Sequence, residues 1–271
     1  MLKKLLAIVP VLVSLQGAAP DPASPDRVGG LPSVPPLSLA FEREVTPRLH
    51  PPAEVTAAYA ASLQDALGAA AVRASGLQFI VLVDRDPRVQ ALFVYWGSSD
   101  DGWVYVGAAP VSTGQSGRYE HFATPLGVYE HTIGNPDFRA EGTKNELGIR
   151  GYGLKGSRVY DFGWVRAPKG WGDGRRSVMR LQMHATDPDV LEQRLGTAQS
   201  KGCIRIPAAL NEFIDRHGVL DADYQEELAN GAHFWVLRAD RTPTAWPGRY
   251  LVVVNSGHAT RPPWSPAPRR R

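Results

Sequence analysis

The chain has 271 residues, enough for one medium domain with extensions or two small ones. With 43% hydrophobic and 21% charged residues it has the make-up of a soluble globular protein. The net charge of +3, partly carried at the ends by Lys3, Lys4 and Arg269 to Arg271, does not support a nucleic-acid footprint.

Lys3 and Lys4, the apolar run from Leu5 to Leu15 and the small residues Gly17-Ala18-Ala19 have the layout of a cleavable export signal over 1–19. The apolar run is too short to span a bilayer, and no Cys follows it to carry a lipid. We therefore expect cleavage near Ala19, export, and no stable membrane insertion afterwards. Residues 20–76 divide into a Pro-, Ser- and Gly-rich linker or loosely wrapped arm and an Ala-rich helix from Ala53 to Arg73 that stops near Gly76. Val55, Tyr59, Leu63 and Leu67 form that helix's apolar stripe.

From Leu77 the pattern is that of strands. Phe79 to Val83, Leu92 to Trp96 and Trp103 to Val106 are short β-branched or aromatic runs separated by turns, which predicts an antiparallel meander in a sandwich or barrel. The segment 134–174 is Gly-rich without a regular period and reads as a long loop or lid. Between Ser177 and His184, Met179, Leu181 and Met183 alternate with Arg180, Gln182 and His184, so one face is apolar and His184 ends the polar one, at an exposed strand end. Asp187-Pro188 predicts the start of a short helix that stops at Gly196. Pro207 opens another, with Leu210, Phe213 and Ile214 buried and Gly218 at its end. A last helix over Asp221 to Asn230 and a closing strand over His233 to Leu237 follow. Tyr250 to Val254, inside a Pro- and Arg-rich tail (239–271), reads as a strand paired back on the domain.

Cys203 is the sole cysteine, so it forms no internal disulfide. In an exported chain such a thiol is either a small buried side chain or a nucleophile. A thiol attacks a carbonyl as thiolate and needs a base or positive charge beside it. His184, 19 positions earlier, can meet Cys203 at the rim of a sheet, and Gly202 lets the backbone approach a substrate, so that the amides of Gly202 and Cys203 face a developing oxyanion. The histidines show no zinc spacing, and we expect no metal and no cofactor.

His184-Ala185-Thr186 followed by Ser200-Lys201-Gly202-Cys203-Ile204-Arg205-Ile206-Pro207 resembles the active-site signature of the YkuD-type L,D-transpeptidases. Val111-Ser112-Thr113-Gly114 and Thr124-Pro125-Leu126-Gly127-Val128-Tyr129 resemble two upstream segments of the same family. The resemblance implies a mainly β, sandwich-like catalytic domain over 77–238 with a few short helices, preceded by the N-terminal helical extension. It implies that Cys203 attacks the carbonyl before the terminal D-alanine of a peptidoglycan stem tetrapeptide. His184 would act as proton acceptor and donor, its ring oriented by the Ala185 backbone carbonyl. The acyl group would pass to an amine, giving a 3→3 crosslink, in the periplasm or cell wall. Carbapenems are implied as covalent inhibitors of the same thiol.

Lys201 stands where the family carries a second histidine. It is expected either to lower the thiol pKa or contact a stem carboxylate, or to be a solvated surface lysine. Arg205 is a candidate for a substrate carboxylate or, preferably, the loop's own carbonyls. Ser200 and Thr186 either bind within the site or shape turns. His121, His131, Tyr152, Trp164 and Trp171 are candidates for the groove wall. The same Cys-His pair also suits an L,D-carboxypeptidase, an endopeptidase or a protein-tethering enzyme. A non-catalytic wall-binding module is the reading from another class.

Overall fold

The computed structural model describes residues 27–28, 31–32 and 35–266. The expected export signal over 1–19 and the three terminal arginines lie outside the described residues. In chain order the elements are β1 (Arg27–Val28), β2 (Leu31–Pro32), α1 (Ser38–Glu44), α2 (Ala53–Ala69), β3 (Gln78–Asp84), β4 (Ala91–Ser98), β5 (Gly102–Pro110) and β6 (Gly127–Glu130). Then come β7 (Phe138–Arg139), β8 (Arg158–Pro168), β9 (Arg176–Ala185), a 3-10 turn (Glu192–Arg194), β10 (Ile204–Ile206), α3 (Ala208–His217), α4 (Ala222–Ala229) and β11 (Tyr250–Val254).

The architecture is mainly β, with two principal sheets and a few short helices. One sheet has five strands in the order β5-β4-β3-β11-β6, the other four in the order β10-β9-β8-β7. Their facing sides make one core. Phe79, Val81 and Val83 of β3 and Leu92 and Val94 of β4 meet Tyr160 and Phe162 of β8, Leu181 and Met183 of β9, and Leu210 and Phe213 of α3. The opposite face of β3 and β4 (Ile80, Leu82, Phe93, Tyr95) packs on Tyr59, Leu63 and Leu67 of α2. Covered on both sides, β3 and β4 read as unbroken apolar runs instead of alternating ones. Each such large side chain contributes about 1.5–3 kcal/mol through burial.

The expected β3–β4–β5 meander is present, antiparallel throughout, with a register shift at Val94/Tyr95. The α2 stripe is inward as expected, although the helix ends at Ala69, not Arg73. Four expectations are corrected. Within the segment 134–174, expected to be a loop, β8 runs for 11 residues. It shows no clean alternation because Arg158 to Gly163 are buried on both faces and the register shifts between Asp161 and Trp164. After Asp187 there is no α-helix: its carboxylate accepts from the amides of Asp189 and Val190, but only a 3-10 turn follows. Residues 233–237 form turns, not a strand. The described part of the Pro-rich arm is not loose, for α1 buries Phe41 edge-on against Phe213 at 5.2 Å.

Tyr250–Val254 does pair back on the domain. β11 lies parallel to β3 and antiparallel to β6, inside the five-stranded sheet. Beyond it, Trp264 packs on Tyr59 and Phe93, at 6.0 and 5.8 Å between ring centroids.

Candidate active site

β10 is three residues long because only Ile204 and Ile206 point into the core; Arg205 between them points the other way. It pairs parallel to β9, placing Arg205 opposite His184 and Ile204 opposite Met183. Cys203, the residue before β10, therefore stands beside Gln182. The four-residue loop leading to it is held from several sides. Ser200 Oγ bonds the Cys203 carbonyl at 2.5 Å and accepts the Gly202 amide at 3.0 Å. Thr124 Oγ1 donates to the Gly202 carbonyl at 2.7 Å and accepts the Gly114 amide at 2.8 Å. Ser112 exchanges both backbone hydrogen bonds with Arg205, each 2.9 Å. The two upstream segments thus form the cradle of the cysteine loop.

Gly202 has φ +137°, and a Cβ there would lie 2.7 Å from Met179 Cε. Only glycine fits. Its amide, however, is spent on Ser200, so the expectation that it faces an oxyanion is corrected. The Cys203 amide lies beside its own sulfur.

His184 is 4% exposed, not at an open strand end as expected, because Tyr152 lies edge-on to its ring at 4.7 Å. Its Nδ1 is 2.8 Å from the Ala185 carbonyl. A carbonyl only accepts, so Nδ1 carries the hydrogen and Nε2 keeps its lone pair. Burial lowers the imidazole pKa to about 4; the Ala185 carbonyl opposes this shift and the Arg205 charge adds to it. At neutral pH the ring is an uncharged base. The Ala185 methyl is accommodated by Gly153, where a Cβ would come within 2.7 Å of it.

Cys203 is partly exposed. Burial pushes its thiol up, and the Asp161 carboxylate adds to that; the Gln182 amide and Arg205 act the other way. The resting pair is thus thiol and neutral imidazole. Burial pushes the Arg205 pKa down, a Cys203 thiolate, once formed, would push it up, and no loop carbonyl holds its guanidinium among the described residues. The preferred expectation, that Arg205 ties the loop's carbonyls, is not met among the described residues; Arg205 stands opposite His184 in the β9–β10 register.

Asp161, Gln182 and Arg180 are additional residues of this face that sequence reasoning missed. Asp161 Oδ2 accepts from Gln182 Nε2 at 2.8 Å and Arg180 Nε at 2.7 Å, and Gln182 Oε1 is 3.3 Å from the Tyr152 hydroxyl. Arg180 and Gln182 were visible as the polar half of the β9 alternation. Asp161 gave no signal, being 42 positions from the cysteine in an unrecognised strand.

The remaining candidates divide. Lys201 points outward and pairs with Glu120 at 2.9 Å, both well exposed. Thr186 is buried, with its amide on the Ile206 carbonyl, and serves the strand end. Tyr152 walls the site. Trp164 stands on the same sheet opposite Arg180. Trp171 packs on Phe122, whose amide bonds the Lys201 carbonyl, and so backs the loop from its other side. His121 is in that same neighbouring loop, bonded to Tyr119. His131 is elsewhere, in a buried ionic cluster. No group of three or more His, Cys, Asp or Glu able to hold a metal occurs among the described residues.

The family model of the YkuD L,D-transpeptidase catalytic domain matches residues 78–222, more than half of the chain, from β3 to the first residue of α4. No curated protein matches.

Proposed function

The chain belongs to the YkuD family of L,D-transpeptidase catalytic domains, and from that premise we propose that it is an exported cysteine transpeptidase acting on peptidoglycan stem peptides. The observation that supports the reading is the β9–β10 register, which carries Cys203 to the level of Gln182, two residues before His184 on the same strand, with the His184 Nδ1 held by the Ala185 carbonyl and Nε2 left with its lone pair.

In the proposed cycle, Sγ of Cys203 bonds to the carbonyl carbon between the third stem residue and the terminal D-alanine, and its proton passes to Nε2 of His184. Nε2 returns that proton to the D-alanine nitrogen as the C–N bond breaks, leaving a thioester. An amine of a neighbouring stem then attacks the thioester and gives its proton to Nε2. The proton moves to sulfur as the C–S bond breaks, completing a 3→3 crosslink. The Cys203 amide stabilises the oxyanion, and Arg205 stabilises the sulfur while it is charged. Export to the periplasm or cell wall rests on the leader-like 1–19, and a mature N-terminus just after Ala19 is the expected result of sequencing the secreted protein.

The test is intact mass of the wild type and of Cys203→Ala incubated with disaccharide-tetrapeptide, with analysis of the muropeptides formed. An adduct on the wild type alone, with released D-alanine and 3→3 dimers, is expected, as is carbapenem labelling of the same thiol. Tripeptide as sole product would replace transpeptidase by carboxypeptidase. No adduct and no product from a folded protein would leave a wall-binding module.

A further inference from the structure

The polar face of β9 continues past the reacting pair. Arg180 stands two residues before Gln182 on that face, with Trp164 of β8 opposite it and Asp161 opposite Gln182. Asp161 Oδ2 holds Arg180 by Nε alone, at 2.7 Å, and the guanidinium carbon lies 5.7 Å from the Trp164 ring centroid. Neither Nη group of Arg180 donates to a protein partner among the described residues. The Arg180 side chain is 39% exposed and Trp164 is 68% exposed, the latter an unusual place for so large an aromatic.

Asp161 is a fixed anchor. It is wholly buried, and it also accepts from the Gly163 amide and from Gln182 Nε2. It orients the guanidinium and leaves its distal fork, the edge suited to a planar carboxylate, free. Exposed Arg166 and Arg176 on the neighbouring strand segments add positive charge at this end of the sheet.

We propose that Arg180, braced by Asp161 and backed by Trp164, binds the free C-terminal carboxylate of the peptide whose bond Cys203 opens. This rests on the stem-peptide reading above. The spacing suits it. Cys203 stands beside Gln182, and Arg180 is two strand residues away, roughly 7 Å along β9. The terminal carboxylate of the leaving residue lies one residue past the scissile carbonyl, about 3.8 Å further along the chain. A guanidinium reaching towards it from that position closes the remainder. Arg205 stands opposite His184, four residues along β9 from Arg180 and on the other side of Cys203, and is not placed for this task. The subsite makes the enzyme an exopeptide-directed one: it selects a scissile bond followed by one residue with a free carboxylate.

The test measures binding calorimetrically in the full-length Cys203→Ala protein, with a stem tetrapeptide as the free acid and as its C-terminal amide. The acid is expected to bind roughly tenfold or more tightly, the worth of a charge-assisted pair. Adding Arg180→Gln is expected to erase that preference. Arg180→Lys, which keeps a charge against Asp161 but lacks the fork, is expected to lose most of it, and it decides the matter where the Gln variant fails to melt cooperatively. Equal binding of acid and amide by the parent, or a preference that survives the Arg180 changes, overturns the subsite while leaving the stem-peptide reading intact. A parent that binds neither peptide overturns that reading itself, and the subsite with it.

Discussion

Two histidines of this protein are almost equally buried, and their environments drive them in opposite directions. His131 has both nitrogens engaged, Nδ1 at 2.7 Å from the Leu220 carbonyl and Nε2 at 2.8 Å from Asp137 Oδ1. Burial alone would lower its pKa, but the Asp137 carboxylate prevails and raises it. His184 has one nitrogen engaged, no carboxylate partner and a cation nearby, and its pKa falls to about 4. The first is a charged member of an ionic cluster in which Arg158 reaches Asp137 at 2.7 Å and Asp221 at 2.8 Å. The second is a neutral base. Burial does not determine what a histidine does; the second nitrogen's partner does. The two regions also touch, because Asp137 Oδ1 accepts the amide of Asp161, whose side chain braces the groove.

The largest effect that separates them is expected from His184→Asn. Acylation of Cys203 by a stem peptide or carbapenem should slow by roughly 10²–10⁴-fold with the melting temperature nearly unchanged. A variant that keeps its rate would remove His184 from the base role. Arg158→Met should do the reverse, costing about 3–5 kcal/mol in urea unfolding by leaving buried carboxylates unpaired, while folded molecules still acylate.

The pH dependence sharpens the contrast. For His184 the folded pKa, about 4, lies below the ordinary 6.5, so the unfolded chain binds more protons in that window and stability rises with pH across it. For His131 the folded pKa is raised, so its contribution is complete below about 6.5 and is lost as pH rises through the folded value. His184→Asn should flatten the acid side of a stability–pH curve and His131→Asn the alkaline side. The opposite assignment would break the comparison.

Gly202→Ala should destabilise by about 1–3 kcal/mol through its positive φ and the Met179 contact, and should slow acylation as the loop shifts. The smallest effect is expected at Lys201→Ala: acylation within about twofold of wild type, since a solvated ion pair with Glu120 contributes little.

How far the sequence could be read depended on which forces act locally. The β9 alternation was legible because one face meets the core and the other the groove, and it located His184 at once. Cys203 was legible from its solitude and its flanking motif. β8 was not, because Val159 to Phe162 are buried on both sides and a bulge interrupts the period. Asp161 escaped for a different reason, and Thr124, though visible in its motif, did not reveal its contact. Asp161 bonds Arg180 and Gln182 from 19 and 21 positions away and Thr124 bonds Gly202 across 78, and no local spacing encodes such pairings. The predicted helix after Asp187 failed instructively, for the capping carboxylate is in place but the Arg150 amide and guanidinium compete for it.

The position of β11 has a consequence for the order of events during synthesis. Among the described residues β6 pairs only with β11 in its sheet, and β3 has β11 as its second neighbour. A chain delivered from its N-terminus can form the β3–β4–β5 hairpins early, but β6 has no seat until residue 254 has emerged. Until then Leu251, Val252 and Val253 are missing from between them, and the edge of β3 stays open for whatever strand arrives. The last strand made is the keystone of its sheet.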